Sequence, residues 1–159
     1  MHSPQRGLTL IELLVTVVVI AVLVGAVLPS ANGMYRRGQV SSSANDFIMA
    51  VSIARSESSR RGGGIALTAI NPADADNEWG PGWTVQIAAT DEVLQTFPAA
   101  NGGVTFNGTD DVDEIVFDSR GLPDTTVTVD ACSPVGGVRL AVTPIGRTSR
   151  VELTEDDCS

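Results

Sequence analysis

Residues 8–28 read LTLIELLVTVVVIAVLVGAVL. From Leu13 to Leu28 the run is almost unbroken in its apolarity, and the whole stretch approaches the ~20 residues that a helix needs to cross a bilayer. A short polar segment, MHSPQRG, precedes it and carries one arginine, Arg6. The positive-inside rule keeps that end cytoplasmic and places the chain beyond about residue 30 outside the cytoplasm. An ordinary secretory signal would follow the apolar run with small residues at a cleavage site, which Ala31-Asn32-Gly33 loosely imitates. Glu12 argues against that reading, because it sits inside the membrane-bound part.

A carboxylate near the start of a membrane helix is costly and marks function by default. Snorkelling to the interface is the plain alternative. The other reading supplies a cation. If the chain is cut after Gly7, the new α-amino group of Leu8 lies one helical turn from Glu12, on the same or a neighbouring subunit. Pairing across subunits lowers the desolvation cost only in the assembled state, which sets a stagger and favours a filament. The residues that carry this argument, Gly7-Leu8-Thr9-Leu10-Ile11-Glu12-Leu13-Leu14-Val15 after a short Arg-containing leader, resemble the class III signal of type IV pilins and type II secretion pseudopilins. The resemblance implies cleavage between Gly7 and Leu8 by a prepilin peptidase and N-methylation of Leu8. It also implies that Glu12 assists subunit docking, and it accounts for Pro29 near the end of the apolar run. Leu8 departs from the family's usual phenylalanine.

Working outward, the 159 residues suffice for one membrane segment and one small domain. Ten arginines and no lysine face 19 acids, and the balance is uneven. Residues 34–61 carry +3, whereas residues 62–159 carry −12. Such an acidic head repels phosphate backbones and anionic lipid heads. His2 is the one histidine, and Cys132 and Cys158 are the two cysteines. No Ser-His-Asp or Cys-His arrangement and no Cys/His zinc set can be assembled from these, so no enzyme, metal or cofactor is expected.

Val40, Ala44, Phe47, Val51 and Ala54 recur at spacings that predict an amphipathic helix lying on a sheet. Pro29 and Gly33 are expected to bend or loosen it, Arg55, Arg60 and Arg61 to suit its C-terminal dipole, and Gly62-Gly63-Gly64 to end it. Beyond residue 64 the pattern predicts strands near 65–70, 83–89, 93–97, 103–107, 114–118, 125–130, 138–143 and 149–153, separated by turn residues. The expected fold class is α+β: a long N-terminal helix, transmembrane and then amphipathic, packed on an antiparallel β-sheet head. The expected divisions are a leader at 1–7, a transmembrane helix at 8–30, its amphipathic continuation at 31–62 and a periplasmic head at 63–159. Register and strand order are not readable from the pattern.

Trp79-Gly-Pro-Gly82-Trp83-Thr-Val85, Ile115-Val-Phe117-Asp-Ser-Arg-Gly121-Leu-Pro123 and Val142-Thr-Pro-Ile-Gly146-Arg147 follow in that order. Together they resemble the GspH/FimT family of minor pseudopilins and minor pilins. The resemblance implies an inner-membrane subunit that primes or caps a type IV pilus serving twitching, adhesion or DNA uptake. Its alternatives are a minor pseudopilin of a type II secretion system and a DNA-binding competence pilin. The implied partners are other minor and major pilins or pseudopilins, the prepilin peptidase and the inner-membrane assembly platform. Trp83, Phe106 and Phe117 read as core, and Trp79 as exposed on its Gly-Pro-Gly loop. With the head outside the cytoplasm, the even pair Cys132 and Cys158 reads as a disulfide, two buried free thiols being the alternative. A C-terminal cysteine pair resembles the pilus-type members more than the secretion-type ones.

Some family members bind DNA through a C-terminal Gly-Arg-x-Arg element. Here Gly146-Arg147-Thr148-Ser149-Arg150 sets the arginines one residue further apart. In a strand Arg147 and Arg150 would point to opposite faces, and in a turn both could project outward. Two arginines against the −12 field offer few phosphate contacts, so surface ion pairs are preferred over nucleic-acid binding. The oxygen-rich runs Asp74-Ala-Asp76-Asn77-Glu78 and Asp110-Asp111-Val-Asp113-Glu114 match no EF-hand spacing and read as solvated loops.

Overall fold

Helical backbone runs from Leu10 to Arg61 as one element, α1, and Pro29 and Gly33 lie within it without ending it. A computed structural model describes residues 9–72 and 76–158, with the side chains of residues 24–31 and of Asp110 outside that description. Two compact units divide the chain between Tyr35 and Arg36. In the first unit the apolar side chains from Leu10 to Leu23 are exposed. Among the described residues no helix is long and apolar enough to cross a membrane. The expected span at 8–30 is described only in part, since Leu8 and the side chains of residues 24–30 lie outside.

In the second unit the stripe predicted from spacing is the buried face: Val40, Ala44, Phe47, Val51 and Ala54 are all buried. The helix stops where the glycines begin. The amide N–H groups of Gly62 and Gly63 both donate to the Ser58 carbonyl, at 2.9 and 2.7 Å, which satisfies a terminal acceptor. Arg60 and Arg61 do not simply face the helix dipole; both hold Glu57.

Among the described residues eight strands follow: β1 (Ile65–Ala69), β2 (Trp83–Ile87), β3 (Glu92–Phe97), β4 (Thr105–Gly108), β5 (Glu114–Phe117), β6 (Val127–Ser133), β7 (Gly136–Val142) and β8 (Thr148–Leu153). They form two antiparallel sheets, β3-β2-β1-β5 and β4-β6-β7-β8, where the pattern suggested one. The chain leaves the first sheet to make β4 and returns to it for β5. Alternation places Ile65, Leu67, Val85, Ile115 and Phe117 of one sheet, and Phe106, Val129, Ala131 and Leu140 of the other, inside a single core with the helix stripe.

Phe47 joins the three layers. Its ring lies edge-on to Trp79 at 5.3 Å and to Trp83 at 5.4 Å, and 6.4 Å from Phe106. Trp79 is therefore a correction to the sequence reading, for it is fully buried. Its indole Nε1 donates to the Val112 carbonyl at 2.8 Å, so the polar edge of the ring is satisfied inside. Its neighbour Glu78 is also buried, with Oε2 accepting the Gly108 amide at 2.8 Å and no partner on Oε1 among the described residues. The acidic loop at 76–78 thus spends Asn77 and Glu78 on β4 rather than on solvent. Asp74 lies outside the described residues.

Candidate functional site

The sequence-predicted residues gather at three places: the start of the helix, the loops that fix the head on it, and the C-terminal strand with its tail. At the helix start Glu12 is exposed in the first turn of α1. Its amide donates to the Thr9 hydroxyl at 3.3 Å. Thr9-x-x-Glu12 therefore has the spacing of a capping box, in which the carboxylate also favours the positive end of the helix dipole. This second role is legible as Thr-x-x-Glu, and it stands beside the two readings already weighed for Glu12, snorkelling and pairing with a Leu8 amine. Thr16 Oγ1 donates to the Leu13 carbonyl at 2.8 Å, so its hydroxyl can enter apolar surroundings without an orphaned donor. Gly7 and Leu8, the expected cleavage and methylation positions, lie outside the described residues.

The second place is Arg55. It was expected to face the helix dipole; instead its Nε donates to the Gly121 carbonyl at 3.1 Å. Gly121 lies in the motif loop after β5 and Gly146 in the β7–β8 turn, so both motif loops, one from each sheet, converge on one helix residue. A Cβ on Gly146 would lie 2.6 Å from Arg55 Nε and 2.8 Å from the Gly121 carbonyl oxygen, and its φ of 69° is a conformation suited to glycine. The motif glycines are there to let two loops and the helix touch.

The third place is the end of the chain. Cys132 and Cys158 form a disulfide with Cα atoms 5.5 Å apart, which closes a 27-residue loop and contributes ~3–4 kcal/mol on chain-entropy grounds. Cys132 is on the outer face of β6, so the bond holds the final turn, Asp156–Cys158, over the outside of the sheet. Gly137 makes room for it. A Cβ there would meet the Ala131 carbonyl oxygen at 2.3 Å and Cys158 Sγ at 2.7 Å. Gly137→Ala is expected to raise the free-thiol content and lower stability by about 1–3 kcal/mol through overpacking. An unchanged denaturation midpoint with both thiols still bonded would contradict this close approach.

Asp157 helps hold the same tail. Its carboxylate accepts from the Thr154 hydroxyl and amide, at 2.6 and 2.9 Å. Those bonds, the hydroxyl first, together with the attraction of Arg139 hold its pKa below the usual carboxylate value. Arg139 itself is bidentate on Asp130 across the β6–β7 pair, with its guanidinium pKa raised by those hydrogen bonds and then by the carboxylate charge. At the far end of the helix Glu57 is lowered to about 2 by its hydrogen bonds to Arg60 and Arg61. Asp118 is also lowered, first by the Leu122 amide and then by Arg120.

Arg147 and Arg150 are not brought together. Arg150 is in β8 and donates to Glu152 and to Ser41 of the helix, at 3.1 and 3.3 Å. Arg147 precedes the strand, is exposed, and lines different clefts from Arg150. Among the described residues no three acidic, histidine or cysteine side chains are grouped to hold a metal ion.

The comparisons agree with this architecture. A family model described as type II transport protein GspH matches residues 43–146, more than half of the chain. A prokaryotic N-terminal methylation motif matches residues 2–28. No curated protein matches significantly. Two crystal forms of the type IV minor pilin FimU from Pseudomonas aeruginosa share the fold. One is 22% identical with a TM-score of 0.62, covering 73% of this chain and 90% of that one. The other is 23% identical with a TM-score of 0.59, covering 70% and 91%. The chain carries the methylation motif of membrane-anchored pilins on its N-terminal helix and belongs to the GspH family of minor pilins and pseudopilins.

Proposed function

We propose that this chain is a minor pilin that primes or caps a type IV pilus and acts by assembly, not by catalysis. The observation that carries the pilus over the secretion reading is the Cys132–Cys158 staple, which ties the last strand and its acidic tail to the sheet. The fold shared with FimU supports it. In this reading residues 8–30 span the inner membrane with the head in the periplasm. A prepilin peptidase cuts between Gly7 and Leu8, Leu8 is N-methylated, and Glu12 meets the Leu8 amine of a neighbouring subunit on the assembly platform. The family model's own description favours a second reading, a minor pseudopilin of a type II secretion system.

Deleting the gene is expected to abolish pili sheared from the cell surface, and complementation to restore them. Unchanged pili with lost secretion of exoproteins would establish the second reading instead. DNA uptake through Arg147 and Arg150 is disfavoured, because the two arginines diverge and Arg150 is already paired with Glu152.

A further inference from the structure

Each sheet has one sealed edge and one open edge. On β4 the groups that point away from β6 belong to residues 106 and 108. The Phe106 amide donates to Asn77 Oδ1, the Trp79 amide to the Phe106 carbonyl, and the Gly108 amide to Glu78 Oε2. On β5 the Val116 amide donates to Asp124 Oδ1 and the Val116 carbonyl accepts from the Asp124 amide. No strand can add at either place. On β8 the Thr143 amide donates to the Arg147 carbonyl, and with the pairing Val142↔Thr148 this fixes which residues bond to β7. They are Ser149, Val151 and Leu153; the amides and carbonyls of Thr148, Arg150 and Glu152 point outward. Among the described residues none of those outward groups has a hydrogen-bond partner.

Among the described residues β3 also pairs with no strand on its outer side. What distinguishes β8 is a cleft of about 570 Å³ that separates it from the helix, lined by Arg37, Val40, Ser41, Arg150, Glu152 and Glu155 among others. Side chains of an added strand that share the inner face with Arg150 and Glu152 would fill it. Arg150 is already held by Glu152, while Arg37 has no ion pair among the described residues. Pairing β8 with the β8 of a second copy about a twofold axis would match Arg150 with Glu152. It would also run the head halves of α1 in opposite directions, whereas copies anchored through their N-termini in one membrane share one direction.

We propose that β8 is an acceptor edge for an extended segment of a different, neighbouring pilin subunit, which adds as a fifth strand and places a carboxylate against Arg37. The inference rests on the pilin reading above and names the contact through which the head docks.

Glu152→Pro removes an outward amide and leaves the β7–β8 ladder intact, because proline is tolerated where an edge N–H faces outward. Glu152→Thr changes the side chain equally and keeps the amide. In cells carrying the full chain, the proline variant is expected to be at least about five-fold less abundant in sheared filaments than the threonine variant. Its disulfide should remain closed, which certifies the fold. A photo-crosslinking residue at position 152 should yield an adduct with a different pilin, and one at Thr105 on the sealed β4 should yield none. Equal incorporation of the two variants, or an adduct only with a second copy, would overturn the proposal. Absence of the wild-type chain from filaments would overturn the pilin reading and this inference with it.

Discussion

Replacing Glu12 by alanine should remove the chain from sheared filaments by about a hundredfold or more while leaving its amount in the membrane unchanged. Two roles compete for this carboxylate. As the third helical residue, closing a capping box, it contributes through the helix dipole, worth about 0.3–1 kcal/mol, while the bond to Thr9 Oγ1 comes from the backbone amide and survives in alanine. As the partner of a neighbouring α-amino group in apolar surroundings, it prevents a buried uncompensated charge, which costs about 3–5 kcal/mol when one member is removed. The second term is several-fold larger and appears only on assembly. Glu12→Gln separates the two, because glutamine suits the same capping-box position and forfeits at most the dipole term of about 0.3–1 kcal/mol, whereas it forfeits the whole charge pairing. The measurement is the ratio of filament-bound to membrane-bound chain on immunoblots. Glutamine at the wild-type ratio would reduce Glu12 to a cap; glutamine falling with alanine is the expected result.

What was legible in the sequence is what local chemistry encodes. The stripe from Val40 to Ala54 lies at helical spacing, and burial follows from it directly. All eight strands stand close to where turn residues bracket them, because Gly, Pro, Asn and Asp act within a few residues of themselves. Strand order is different. β4 pairs with β6 and ends its sheet there, because its outer groups are taken by Asn77, Glu78 and Trp79, some thirty positions earlier in the chain. An acid between an asparagine and a tryptophan in a turn-rich loop has no local signature that marks it as buried. Trp79 was misread for the same reason: the Gly-Pro-Gly beside it is a turn, as expected, but the turn faces inward to Val112. The disulfide was legible by counting, since two cysteines in an oxidising compartment have one pairing. The convergence of Gly121 and Gly146 on Arg55 was not, because a glycine that permits close approach resembles any loop glycine until the approaching atom is known.

Phe47→Ala should be the most damaging single change in the head, lowering stability by about 3–5 kcal/mol. The ring is fully buried and is the one helix side chain in ring contact with Trp79, with Trp83 of β2 and with Phe106 of β4. Removing it takes away the transfer free energy of the ring, leaves a cavity that three rigid aromatics cannot close, and loses two edge-on contacts worth about 0.5–1.5 kcal/mol each. The cost falls on the junction of helix and both sheets, so the loss is cooperative and not confined to one layer. Trp79 and Trp83 are the only tryptophans of the chain, and both touch Phe47, so their fluorescence reports the unfolding of the full chain in detergent. Phe47→Leu should cost much less, because it keeps most of the volume and loses mainly the ring geometry. Alanine and leucine with the same midpoint would mean that the site collapses around the missing ring, and that the three layers are held together elsewhere. A midpoint that falls steeply for alanine alone would fix Phe47 as the residue through which the head is seated on its helix. In that case filament incorporation of the variant should decline with the fraction of folded head, even though Glu12 and the whole membrane segment are untouched.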